Sequence, residues 1–180
     1  MERSKAVRFW PLVAFVVLLD VVTKAAAVRL LVPQRMPHDV IGDVVRFTLV
    51  YNPGAAFGLG QGFEHSRWLF LVLTVVALAI LGWLYRAADG GDRPRVLAIA
   101  LVCAGAIGNL VDRIRHDLGV VDFIDIGIGA ARWPTFNVAD IAVSSGAMLL
   151  AWVLWHEAPQ PADAAARSRG LAAADSAELT

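Results

Sequence analysis

Asp122 sits in Val120-Val121-Asp122-Phe123-Ile124, an acid flanked by apolar residues and poorly placed for free solvation. Asp140 closes Phe136-Asn137-Val138-Ala139-Asp140, just ahead of a long apolar run. Two carboxyl groups that share a site cannot both ionise easily, so the pair keeps one proton. The ionised member can deprotonate a water. The protonated member can hydrogen-bond a scissile carbonyl and later protonate the leaving nitrogen. That chemistry is acid–base hydrolysis of an amide. Carboxylates at membrane depth also serve proton or ion transport, and Asp117 and Asp125 compete for either role.

Other polar residues fall at helical spacings. Asp20 and Lys24 are i,i+4, which puts them on one face where they can pair. They are open to two readings, a structural ion pair or a direct contact with substrate. Asn109, Asp112 and Arg113 stand at i, i+3 and i+4. The small residues Ala104, Gly105, Ala106 and Gly108 before them would let another helix approach closely. This cluster shapes an active site or is an ordinary helix-end patch. Asn137 and Asp140 share a face if a helix begins after Pro134, and a helix N-terminus favours a carboxylate.

Alternative chemistries fare worse. His38, His65, His116 and His156 have no metal-ligand spacing, and no HExxH is present. Ser144-Ser145 has no nearby base, and the lone Cys103 lies among apolar residues. A single cysteine also excludes an internal disulfide and a CxxC site. Asn52-Pro53-Gly54 opens a glycine-containing stretch without the Gly-Lys-Ser/Thr of a phosphate loop.

These residues need elements to hold them, and the composition says which. Of 180 residues, 58% are hydrophobic and 18% charged, against about 25% charged in soluble domains. Mean hydropathy is +0.61. Lys+Arg and Asp+Glu are 16 each, giving zero net charge. Disorder is excluded, and a nucleic-acid partner is not expected. The apolar residues gather in four blocks, Phe9–Val32, Trp68–Tyr85, Val96–Val111 and Ile141–Trp155. A transmembrane helix needs roughly 17–25 residues. The second block suffices alone, and the third and fourth must extend into flanking polar residues. The expected fold is an all-α membrane protein with four transmembrane helices, in one domain over 1–157.

The first block has a basic start and ends in Ala25-Ala26-Ala27, like a cleaved signal. Asp20 and Lys24 interrupt it and apolar sequence resumes after Arg29, so it reads as a retained helix. Arg3, Lys5, Arg8 and the Arg86–Arg95 loop place both termini in the cytoplasm by the positive-inside bias. The Pro33–Arg67 and Arg113–Pro134 connections then face outward, where Asp122 and Asp140 can face each other across the third and fourth helices. Val44–Tyr51 is β-branched and aromatic and ends in Asn52-Pro53-Gly54, which reads as a strand and turn. The Ala- and Pro-rich residues 158–180 read as a disordered cytoplasmic tail.

Taken in order, the motifs resemble those of the lipoprotein signal peptidases, or signal peptidase II. Asp20-Val-Val-Thr23-Lys24 resembles that family's D-x-x-T-K, and Asn52-Pro-Gly54-Ala55-Ala56-Phe57-Gly58 its N-x-G-A-A-F-G. Gly108-Asn109-Leu-Val-Asp112-Arg113 is similar to G-N-x-x-D-R, Val121-Asp122-Phe123 to V-D-F, and Phe136-Asn137-Val-Ala139-Asp140 to F-N-x-A-D. The resemblance spans about residues 8–157. It implies a bacterial inner-membrane aspartyl endopeptidase with Asp122 and Asp140 as its dyad. Asn52, Gly54, Asn109, Asp112, Arg113 and Asn137 would shape the site or hold substrate, with Asp20 and Lys24 supporting. The implied substrate is a prolipoprotein, cleaved just before its diacylglyceryl-cysteine. The implied partners include membrane lipids and globomycin-type inhibitors, with no metal or organic cofactor. Val44–Tyr51 would belong to an outer β-cradle, about residues 38–62.

Two rival classes stand beside this reading. An ion or proton-coupled carrier would use Asp20, Lys24, Asp112 and Asp140 as relays. It would need polar faces through the membrane, which the second and fourth blocks lack. A non-catalytic scaffold would have no use for the carboxylates.

Overall fold

The computed structural model describes residues 2–54 and 66–157. Ala55, Ala56, Phe57 and Gly58, the remainder of the expected cradle to residue 62, and the tail 158–180 lie outside the described residues.

Four described helices contain stretches long and apolar enough to cross a membrane: α1 (Glu2–Leu30), α2 (Ser66–Ala87), α3 (Arg93–Arg115) and α4 (Val138–Glu157). Their ends follow local rules. Asp92 caps α3, its carboxylate accepting the Arg95 N–H at 3.1 Å. Pro94 falls in the first turn, where a missing N–H costs no helical bond. At the far end the His116 N–H donates to the Asp112 carbonyl at 2.8 Å. As expected, α3 runs past its apolar block, Val96–Val111, and so carries Asp112 and Arg113 on the same helix as Asn109.

Phe9, Val13 and Val16 of α1 pack with Val96, Ile99, Ala100 and Cys103 of α3, together with Leu81 and Ala142. Buried Lys5 donates to the Tyr85, Arg86 and Ala88 carbonyls at 3.0, 3.3 and 3.2 Å. It thereby satisfies carbonyls that the end of α2 leaves without helical partners. Arg8 reaches the Gly90 carbonyl at 3.2 Å. The basic N-terminal segment and the Arg86–Arg95 loop therefore share one end of the bundle.

The other end carries an antiparallel sheet in the order β1 (Pro37–Ile41), β2 (Val45–Asn52), β3 (Val120–Ile128), β4 (Ala131–Arg132). Patterning alone marks a strand only at Val44–Tyr51. The second half of the sheet comes from the connection between α3 and α4, and this changes one expectation. Asp122 lies on β3, opposite Val50 of β2, so it is held by the sheet and not by the end of α3. The cause is local. After α3 stops, the chain turns through Gly119, whose φ is 101°, and the β-branched Val120-Val121 enters the sheet. Leu49, Val121 and Phe123 then pack on Ala27 and Leu31 at the end of α1.

The chain divides into two compact units, Met1–Leu150 and Ala151–Thr180. In the second, the described residues end α4, and His156 Nδ1 lies 2.8 Å from the Trp152 carbonyl.

Candidate active site

Asn137 is the residue before α4, and Asp140 is in its first turn. The Asp140 N–H donates to Asn137 Oδ1 at 2.9 Å, and the Asn137 N–H donates back to Asp140 Oδ2 at 3.1 Å. This reciprocal pair is a capping box, with Asp in the place more often taken by Glu. It fixes the Asp140 carboxylate against the helix end. The second oxygen, Oδ1, accepts from Asn109 Nδ2 at 2.8 Å.

The same Asn137 reaches Asp122. Its Nδ2 donates to Asp122 Oδ1 at 2.6 Å, while Asn52 Nδ2 from the end of β2 donates to Oδ2 at 3.0 Å. One fully buried asparagine thus bonds both carboxylates, Asp140 through its backbone N–H and Asp122 through its side chain. Asp122 is only 2% exposed. Burial, and then the charge of Asp140, push its carboxyl up to about 7, although the Asn52 and Asn137 hydrogen bonds pull the other way.

Lys24 is the hub beneath. Its ammonium lies 2.8 Å from Asp20 Oδ2 and 2.9 Å from Asp112 Oδ2, and it donates to Asn109 Oδ1 at 2.9 Å. Two carboxylates and one amide oxygen thus surround an ammonium whose side chain is 3% exposed. The Asp20 contact is an ion pair without hydrogen-bond alignment. Both acids have a second task. Asp20 Oδ1 accepts the Ala139 N–H at 2.8 Å, and Asp112 Oδ2 accepts the Val121 N–H at 3.0 Å. Of the two readings open to Asp20 and Lys24, the ion pair is present, at 2.8 Å.

Two glycines permit this closeness. A Cβ on Gly108 would meet the Asp20 carboxylate and Ala139, and one on Gly105 would overlap the Ala139 carbonyl and Val143. The small-residue stretch of α3 therefore does admit a neighbouring helix, α4. Gly54 has φ 115°, gives its N–H to Asn52 Oδ1 at 3.0 Å, and leaves no room for a Cβ beside Phe70.

Arg113 half-emerges from α3 with Asp140, Asp122 and Asp112 as its electrostatic neighbours. It donates to the Asn109 carbonyl at 3.3 Å, and its guanidinium stands 5.7 Å from the Phe70 ring centroid. The two competing acids lie elsewhere. Asp117 is exposed and pairs with Arg67. Burial would raise the Asp125 carboxyl, but Arg132, Thr48 and Arg46 outweigh it and hold the group below the usual carboxylate range. It therefore ties the sheet together.

A cavity of about 520 Å³ opens on Asp122, lined also by Asn52, Arg35 and Thr135. A second hollow of about 310 Å³ reaches Asp140 beside Phe136 and Met148. Sequence reasoning passed over Arg35. It takes φ 65° while its N–H bonds the Leu49 carbonyl at 2.8 Å, and nothing in Val-Pro-Gln-Arg-Met signals that placement. Among the described residues, no group of three or more His, Cys, Asp or Glu could hold a metal ion.

Four membrane-type helices, a small sheet at one end and a cluster that joins buried Asp122 to half-buried Asp140 through Asn137 define a multi-pass membrane protein. The comparisons carry this further. The family described as signal peptidase (SPase) II matches residues 12–156. The lipoprotein signal peptidase of Pelotomaculum thermopropionicum is 43% identical over 148 residues, covering 81% of this chain and 90% of the relative. That of Desulforapulum autotrophicum is 38% identical over 164 residues, covering 88% and 99%. A solved bacterial membrane enzyme superposes with TM-score 0.73 at 30% identity, over 83% of this chain and 88% of that one. The chain belongs to the signal peptidase II family. It is a transmembrane protease by that membership, and the carrier and scaffold readings fall away.

Proposed function

We propose that this chain is an aspartyl endopeptidase of the bacterial inner membrane that removes signal peptides from diacylglyceryl-modified prolipoproteins, cleaving just before the lipidated cysteine. The observation that carries the reading is Asn137, whose backbone N–H holds Asp140 and whose side chain holds Asp122. In this reading Asp122 keeps the proton and Asp140 is the base. Asp140 takes a proton from water as the water oxygen attacks the scissile carbonyl carbon. Asp122 lends its proton to the carbonyl oxygen. When the C–N bond breaks, the nitrogen leaves with the proton from Asp140, and Asp122 recovers its own.

Asn109, Asn137 and Asn52 orient the two acids. Arg113 offsets their negative charge, and Gly54 lets the turn after β2 pass close to Phe70. Asp20, Lys24 and Asp112 support the framework. Both termini and the Arg86–Arg95 loop are cytoplasmic, so the dyad lies near the outer face, where a lipidated cysteine sits. Membrane lipids surround the helices, and a globomycin-type cyclic peptide would occupy the same site. No metal or organic cofactor takes part, and residues 158–180 form a cytoplasmic tail.

The test is a gel-shift assay with the purified protein and a diacylglyceryl-modified prolipoprotein in detergent. The lipidated substrate is cut, the unlipidated precursor is not, and a zinc chelator leaves the rate unchanged. Equal cleavage of both precursors, or loss of activity to the chelator, would overturn the reading.

A further inference from the structure

Between α1 and α3 lies a cleft of about 260 Å³ that shares no lining residue with the cavity at Asp122. Its lining changes character along the helices. On α1, Val21, Ala25 and Val28 lead to Arg29, and on α3, Val111 leads to Arg115. Ala25 to Arg29 and Val111 to Arg115 are each just over one helical turn, a rise of about 6 Å. Both helices end within a residue of these arginines. The apolar part is therefore the deeper, and both arginines stand at its mouth.

The charges at that mouth are uncommitted. Arg29 and Arg115 are exposed and make no ion pair or side-chain hydrogen bond among the described residues, while half-buried His116 closes the rim. The other charged groups lining the cleft are spent. Lys24 is held by Asp20, Asp112 and Asn109, and Asp112 is held by Lys24 and the Val121 N–H. Two helix C-termini add partial negative charge, about half a unit each, which tempers the two arginines without cancelling them.

We propose that this cleft binds one anionic phospholipid, its phosphate between Arg29 and Arg115 and an acyl chain along Val21, Ala25, Val28 and Val111. A guanidinium pair suits phosphate oxygens, and the apolar floor suits a chain rather than a free ion. A zwitterionic headgroup fits worse. Its ammonium meets two arginines and a carboxylate already neutralised by Lys24. The site is separate from peptide cleavage and does not rest on that reaction.

Native mass spectrometry of the full chain, after exchange into phosphatidylglycerol or phosphatidylcholine, tests it. The wild type retains one phosphatidylglycerol in preference to phosphatidylcholine. Replacing Arg29→Gln and Arg115→Gln together weakens retention roughly 10- to 30-fold, as two lost phosphate contacts imply. Arg29→Lys with Arg115→Lys keeps most of it, which separates charge from a folding defect. Millimolar inorganic phosphate leaves the lipid in place. Equal retention by wild type and the glutamine pair, or no preference between the two lipids, overturns the proposal. Displacement by inorganic phosphate assigns the arginines to a free anion instead and equally overturns the lipid.

Discussion

Asp20 accepts the backbone N–H of Ala139, the residue immediately before Asp140. Asp112 does the same for Val121, the residue immediately before Asp122. Lys24 stands between the two supporting carboxylates and binds both. The acids from α1 and α3 therefore have no direct bond to the proposed dyad. They set the main chain on which each member hangs, and one ammonium sets the distance between those settings.

Removing that ammonium should be costly. In Lys24→Met, Asp20 and Asp112 become buried charges without a cation, a defect worth about 3–5 kcal/mol. Thermal unfolding in detergent should show the loss. The triple variant Asp20→Asn, Lys24→Met, Asp112→Asn leaves no charge to bury and should recover stability. Its cleavage rate should stay below wild type, because a neutral amide holds the Ala139 and Val121 N–H groups more weakly than a carboxylate. Triple-variant activity equal to wild type would remove the framework role.

Asp122→Asn and Asp140→Asn should each lower cleavage at least about a hundredfold, the usual scale of a lost acid or base. Membrane insertion should be unchanged. Gel shift of the lipidated substrate reads the first and membrane fractionation the second. Normal cleavage by either variant would sink the dyad.

Asp122 also predicts a pH dependence with a definite sign. Its folded value of about 7 lies above the ordinary 3.8. The native state therefore holds this proton more tightly than the unfolded chain. The stabilisation is complete below about 3.8 and is lost as pH rises to about 7. The thermal midpoint should fall across that window, and Asp122→Asn should remove that part of the fall. Wild-type cleavage should decline above about pH 7 as the acid loses its proton. A flat rate from pH 6 to 9 would contradict it.

Gly105→Ala should weaken both stability and cleavage, since the new methyl would overlap the Ala139 carbonyl next to Asp140. Overpacking of this kind costs about 1–3 kcal/mol. Gly82→Ala is the control, because a Cβ there meets nothing within 4 Å. Equal effects of the two substitutions on the thermal midpoint would show that the α3–α4 approach is not tight.

Topology can be tested separately. A cysteine at Gly90 should react with a membrane-impermeant reagent only after the inner face is opened, while one at Asp43 should react from outside. Native Cys103 is buried and should stay silent. The reverse labelling would put the dyad on the wrong face.

Much of this was legible in residue order because helical spacing is rigid. Asn109 and Asp112 on one face, and Asn137 with Asp140 at a helix start, follow from i+3 arithmetic. β3 was less visible, since Val120–Ile128 contains two acids and breaks the alternation that marks a strand. Those acids are buried by partners far along the chain, Asn52 for Asp122 and Arg46 for Asp125. The grip of Asp20 on Ala139 spans 119 residues and uses a backbone N–H, a group that every residue but proline carries. No pattern of side chains announces it.

Asn52 gives the turn after β2 a hold on Asp122. Its amide nitrogen bonds Asp122, and its amide oxygen bonds the Gly54 N–H. The Asn52 bond favours the ionised acid. Without that bond the acid would hold its proton more tightly still. One side chain thus joins the geometry of a short turn to the proton affinity of a buried acid.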